Sequence, residues 1–158
     1  MQLLNKILAL SISESWLLFT ALLGLPLLSH AIRVHGFKQA YNKSIVSSFT
    51  TDKQKKINEA QLSEARAIAR IINIAGNRSI FKANCLAKSL YLLRELRKRQ
   101  IPCQLKIGTT IDIGKTDGLI KNRSIAHAWV ESEGLVLNDA ADVGTRFNAF
   151  TLPEGNLK

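Results

Sequence analysis

Apolar and polar positions divide the chain into a helical first part and a strand-forming last part. Trp16, Leu17, Phe19, Leu22 and Leu23 fall at helical spacing, behind Ser11 and Ser13 as capping positions and Glu14 in the first turn. Pro26 is expected to kink or divide this helix, with a second helical stretch running to about Tyr41. Asn42 to Lys56 is polar and rich in Ser, Thr and Lys, and reads as an exposed linker. It separates an N-terminal helical region, residues 1–50, from a core, residues 51–158. Leu62, Ala65, Ile68, Ala69, Ile72 and Ala75 then predict a helix from about Lys56 to Ala75, ended by Gly76 and Asn77 as left-handed C-cap residues. The next helix runs from near Asn84, its N-cap, to near Gln100. Leu86, Leu90 and Leu93 mark its buried face, and Lys88, Arg94, Glu95, Arg97, Lys98 and Arg99 mark its wet face.

Beyond Pro102 the period drops from 3.6 to 2. Leu105, Ile107, Thr109 and Ile111 alternate with Gln104, Lys106, Gly108 and Thr110, which predicts a strand. Gly114 to Arg123 reads as a polar loop, either a plain connection or a lid. A second strand follows from about Ser124 to Glu131, then a turn over Ser132, Glu133 and Gly134, then a third strand from Leu135 to Asp139. Helices followed by an antiparallel meander make the fold class α+β.

Composition narrows this picture modestly. Of 158 residues, 46% are hydrophobic and 22% charged, which is globular composition for about one domain. The net charge of +10 favours acidic partners. The simplest reading of the spread-out cations is a set of solvated helix faces, and no nucleic-acid motif accompanies them. Two cysteines, Cys85 and Cys103, make neither a disulfide framework nor a CxxC metal pair, so a reducing, cytoplasmic setting is the default. Ser15 to Ile32 holds no Asp, Glu, Lys or Arg over 18 residues, a marginal length for a membrane span. Its polar residues and Pro26 favour buried or interfacial helices, with peripheral membrane contact as the minority alternative.

The candidate chemistry centres on Cys85. A cysteine in the first turn of a helix meets the macrodipole and unpaired N–H groups, which favour the nucleophilic thiolate and can hold an oxyanion. Alone, such a cysteine is more often a small buried hydrophobe. In Ser124–Glu131, His127 lies mid-strand between two alanines, sharing a face with Ile125 and Trp129. A three-residue loop over Ser132–Gly134 would pair Glu131 with Leu135 and set Asp139 directly across from His127. There the carboxylate can orient the imidazole and stabilise its charged form. Asp142 is the reserve acid. Trp129 can either wall a substrate site or serve the core. Cys103, His30 and His35 read as packing or exposed residues, and no metal-ligand spacing is present.

The segments Asn84-Cys85-Leu86-Ala87-Lys88-Ser89-Leu90, Leu105–Gly108, Ala126-His127-Ala128-Trp129-Val130-Glu131 and Leu137-Asn138-Asp139 resemble the transglutaminase-like cysteine peptidases that remove leaders in lasso-peptide maturation. The resemblance covers roughly Ala60 to Phe150 and implies a papain-like, transglutaminase-type core. It implies Cys85 as nucleophile, His127 as proton carrier and Asp139 as orienting acid; Asn84, beside Cys85, and Trp129, on the His127 face, are the candidate substrate contacts from their positions. It also implies a precursor peptide as substrate and a separate leader-binding recognition protein, because the N-terminal region does not suit the partly β recognition domain of fused relatives. An ATP-dependent macrolactam cyclase would act as a further partner. Any ATP dependence would belong to that cyclase, since this chain has no phosphate-binding glycine loop of the usual pattern. A transglutaminase-like acyl transferase with the same triad, and a non-catalytic basic membrane scaffold, are the competing expectations.

Overall fold

The computed structural model describes residues 11–46, 56–78, 83–116 and 119–151. Its first helix, α1 (Ile12–Val46), starts on a reciprocal cap. The Ser11 N–H donates to Glu14 Oε2 at 2.8 Å, and the Glu14 N–H donates to Ser11 Oγ at 3.2 Å. The helix does not divide at Pro26. Its break comes at Gly36, whose φ of 81° and ψ of 166° lie in a region essentially reserved for glycine. Leu25, next to Pro26, is fully buried and Leu28 packs on the core, so tertiary contacts hold the helix through the proline. Helix also replaces the expected linker as far as Val46, and 47–55 lie outside the described residues. Leu17, Ala21, Leu25, Ala40 and Tyr41 belong to the same core as the later helices.

Helix α2 (Glu59–Arg78) is capped by Asn58, whose Oδ1 accepts the Gln61 N–H at 2.8 Å. Its buried stripe includes Ala65, Ile68, Ala69, Ile72 and Ala75, at the expected positions. Gly76 and Asn77 do not end it. A Cβ at Gly76 would sit 2.6 Å from the Lys88 side chain, so this glycine admits a neighbouring helix instead of forming a C-cap.

That neighbour is α3 (Cys85–Lys98), the most enclosed helix. It packs on α1 and α2 and on the sheet. Leu90, Leu92, Leu93 and Leu96 are completely buried, each contributing about 1.5–3 kcal/mol. Being covered on several sides, α3 also buries Glu95 and Arg97, which the helical pattern had assigned to the wet face. Burial would raise the Glu95 carboxyl, but bonds from Lys98 (2.9 Å) and Arg99 (3.0 Å) hold it below its ordinary value.

The sheet order is β3-β2-β1-β4, with β1 (Gln104–Thr116), β2 (Leu119–Ser132), β3 (Leu135–Val136) and β4 (Asn148–Thr151), all antiparallel. The loop or lid expected over Gly114–Arg123 is instead ladder, paired out to Thr116 with Leu119. The β2–β3 turn also differs from expectation. Glu133 (φ 47°) and Gly134 (φ 80°) form a two-residue turn with both φ positive, the geometry that matches strand twist. Glu131 therefore pairs with Val136, one residue beyond the expected Leu135. β3 stops after two residues instead of reaching Asp139. A short helix, α4 (Val143–Arg146), leads into β4, which flanks β1; neither element was foreseen.

Candidate active site

Cys85 is the first residue of α3 and is half-buried. Asn84 caps the helix in extended conformation, its Oδ1 accepting the Ala87 N–H at 2.8 Å. The first intrahelical bond runs from Lys88 N–H to the Asn84 carbonyl. The N–H groups of Cys85 and Leu86 precede that bond and point out of the helix start, where a developing oxyanion would be stabilised. The Asn84 amide oxygen is committed to the cap, so this residue shapes the helix start.

One turn along α3, Ser89 is completely buried and its Oγ donates to the Ala128 carbonyl at 2.9 Å. Residues four apart share a helix face, so the face of α3 that carries Cys85 also carries the Ser89 bond to the β2 backbone. Ala128 and Val130 face the helical core, while His127 and Trp129 occupy the other face of the strand.

His127 Nε2 and Asp139 Oδ2 are 2.6 Å apart. The sequence paired these residues for the wrong reason. In the observed register the ladder, if extended, would set Ala140 across from His127. Asp139 reaches the ring because the chain leaves the sheet after Val136. Its other oxygen accepts the Ala140 N–H at 2.7 Å and meets Arg146 Nη2 at 3.4 Å. Partial burial would raise the Asp139 carboxyl. The bonds from His127 and Ala140, with the charges of His127 and Arg146, more than offset this and hold it below its ordinary value. An ionised Asp139 makes Nε2 the protonated nitrogen and leaves Nδ1 for proton exchange. Asp142, the reserve acid, pairs instead with Arg146 Nε at 3.4 Å.

The bend after β3 is held by Asn138. Its Oδ1 accepts the Val130 N–H at 2.8 Å, and its Nδ2 donates to Ser89 Oγ at 2.9 Å. Its carbonyl accepts from Asn73 Nδ2 on α2 at 3.1 Å. One side chain thus takes the place of the missing strand bond and ties the Asp139 segment to α3 and β2. Asn138 points to the helices as Asp139 points to His127.

Trp129 is completely buried, which removes it from the substrate-contacting surface expected above. Its ring stands beside His127 with Phe147, whose ring centroid is 5.0 Å from the imidazole. The Trp129 Nε1–H donates to Glu131 Oε1 at 2.7 Å. Gly108, paired with His127, leaves the space these rings fill: a Cβ there would lie 2.7 Å from Phe147 Cβ and 3.0 Å from the Trp129 ring. Asn138, Ser89, Gly108, Phe147 and Arg146 escaped sequence reasoning. Only Gly108, a glycine within a regular alternation, carried a local signal of close approach. Among the described residues, no cluster of three or more His, Cys, Asp or Glu could hold a metal ion. Cys103 is buried at the start of the sheet, away from this arrangement.

A model of the transglutaminase-like superfamily core matches residues 27–151. No curated protein and no solved structure gives a significant match.

Proposed function

Because the chain belongs to the transglutaminase-like superfamily, we propose that it is a cysteine peptidase that removes the leader from a lasso-peptide precursor, using Cys85, His127 and Asp139. The observation that carries the chemistry is the His127–Asp139 pair at 2.6 Å, lying on the strand against which the Cys85 helix is fastened. The narrower substrate assignment rests on the resemblance of the Asn84-Cys85-Leu86 and Ala126–Glu131 segments to leader peptidases.

The Cys85 sulfur attacks the scissile carbonyl carbon at the leader–core junction. The oxyanion forms at the N–H groups of the first α3 turn. His127 takes the thiol proton and gives it to the departing amine of the core peptide. Water, deprotonated by His127, then releases the leader acid from the thioester and restores the thiol. Asp139 keeps the imidazole oriented through both steps. A separate leader-binding protein would present the precursor, and an ATP-dependent cyclase would consume the product. The setting is reducing and cytoplasmic, where Cys85 stays a thiol.

Transfer of the acyl group to an amine is the second reading, favoured by the same superfamily membership and sharing the thioester. The experiment is incubation of wild-type protein, Cys85→Ala and Cys103→Ala with precursor and leader-binding protein, followed by mass spectrometry. The expected products are free leader acid and core peptide from wild type and Cys103→Ala, and intact precursor from Cys85→Ala. Amine-linked leader would favour transfer, and cleavage by Cys85→Ala would exclude the mechanism.

A further inference from the structure

Helix α1 carries two apolar stripes, and the fold uses one. Leu17, Ala21 and Leu25 enter the core. Ile12, Trp16, Phe19, Leu23, Leu27 and Val34 instead stand in solvent, from 54% exposed at Phe19 to 92% at Ile12. Their spacing of three, four and seven keeps them on one line, which at 1.5 Å per residue is about 33 Å long. This exposed apolar strip, interrupted at exposed His30, is uncommon on a soluble monomer.

We infer that this outward stripe docks on an anionic lipid bilayer, with α1 lying in the plane of the interface. By length and composition the helix could cross a membrane, with a mean hydropathy of 1.7 in its most apolar window. Only 17% of that window is buried, but the buried part belongs to the core shared with the other helices, which favours lying flat. Spanning would pull Leu17, Ala21 and Leu25 out of the core and strip Gly24 from Tyr91, which lies so close that a Cβ would approach it to 2.6 Å. Lying flat keeps both stripes buried, one in protein and one in lipid.

Charge selects the occupant. Trp16, Leu23 and Leu27 form the apolar wall of a cleft of about 550 Å³ whose opposite wall carries Arg94, Lys98 and Arg99; all three pair with Glu95 and Arg99 also with Glu64, which leaves three cations against two carboxylates. Exposed Arg33 and Lys38 add positive charge before and after the break of α1 at Gly36. The chain as a whole carries +10. A second copy would oppose cations with cations, whereas anionic headgroups complement the rim as acyl chains cover the stripe. The Trp16 and Phe19 rings, 6.0 Å apart, suit the headgroup boundary.

The test is flotation of the full chain with vesicles of phosphatidylglycerol and phosphatidylcholine, against vesicles of phosphatidylcholine alone. Binding is expected to be at least about tenfold tighter to the anionic vesicles. Emission should shift to the blue, and the shift reports Trp16 because Trp129 is already buried. Trp16→Ser/Leu23→Ser/Leu27→Ser should abolish binding. Arg33→Gln/Lys38→Gln, which leaves the stripe intact, should weaken it about tenfold. Cys85→Ala should bind as wild type, so this result and the peptidase result stand or fall separately. No binding by wild type overturns the proposal. So does a dimer that the triple substitution dissolves while vesicles stay unbound, or binding confined to the leader-binding protein.

Discussion

The two cysteines occupy opposite kinds of site, and the contrast shows what makes a thiol useful. Cys85 opens a helix that is bonded to β2 through Ser89, and is half-buried. Cys103 opens a strand region and is buried to 8% exposure. Cys103 has a guanidinium partner, Arg97, which pulls its thiol down by charge and hydrogen bonding. Burial nevertheless dominates and pushes the thiol up to about 12. A neighbouring cation does not activate a cysteine when desolvation of the anion costs more than the cation returns.

The largest test of this contrast is alkylation. At pH 7.5, a thiol at about 12 is ionised to roughly one part in 10⁴ or less. Iodoacetamide on folded protein should therefore leave buried Cys103 essentially unlabelled while half-buried Cys85 reacts, read by peptide mass spectrometry. Equal labelling would erase the distinction. Next, Asp139→Asn keeps the shape but removes the charge that orients His127. We expect cleavage to fall about 10²–10⁴-fold with little change in melting temperature, on the scale of triad acids elsewhere. Unchanged turnover would leave His127 working without Asp139.

Smaller effects probe what holds the Cys85 region together. Asn138→Ala strands the Val130 N–H and removes a partner of Ser89, at about 1–3 kcal/mol per stranded group. Denaturant unfolding should show the loss, and Asn138→Asp, which keeps the acceptor for Val130, should recover part of it. Gly108→Ala forces a Cβ against Phe147 and Trp129, at an expected cost of about 1–3 kcal/mol. The smallest effect is the pH dependence contributed by Asp139. Its folded carboxyl titrates below the ordinary 3.8, so the unfolded chain binds its proton first as pH falls. The stabilisation is complete above 3.8 and disappears as pH drops through the folded value; Asp139→Asn should flatten that portion of the acid unfolding curve.

Local chemistry made much of the fold legible in advance. Ser11 with Glu14 and Asn84 with Ala87 are capping interactions closed within four residues, and each lies where the pattern placed it. The apolar stripe of α2 and the alternation of β1 and β2 were equally readable, because each element buries one face. The helix start at Cys85 and the partnership of His127 with Asp139 came from the same reading. Their support did not, because a two-residue turn shifts the register by one and the Asp139 contact depends on a bend outside the ladder.

By itself, then, the sequence determined the α+β class, the helix start at Cys85 and the strand that presents His127, all consequences of short-range periodicity and capping. Only the tertiary structure decided that Gly36 and not Pro26 interrupts α1, that Glu95 and Arg97 are buried, that Trp129 supports His127 from the interior, and that Asn138 fastens Asp139 in reach of the imidazole. Each of these depends on which elements pack together, and residues such as Asn73, Ser89 and Asn138 meet across as many as 65 positions of chain. Spacing along the backbone carries no record of such contacts, since their free energy exists only once the helices and sheet have closed around them.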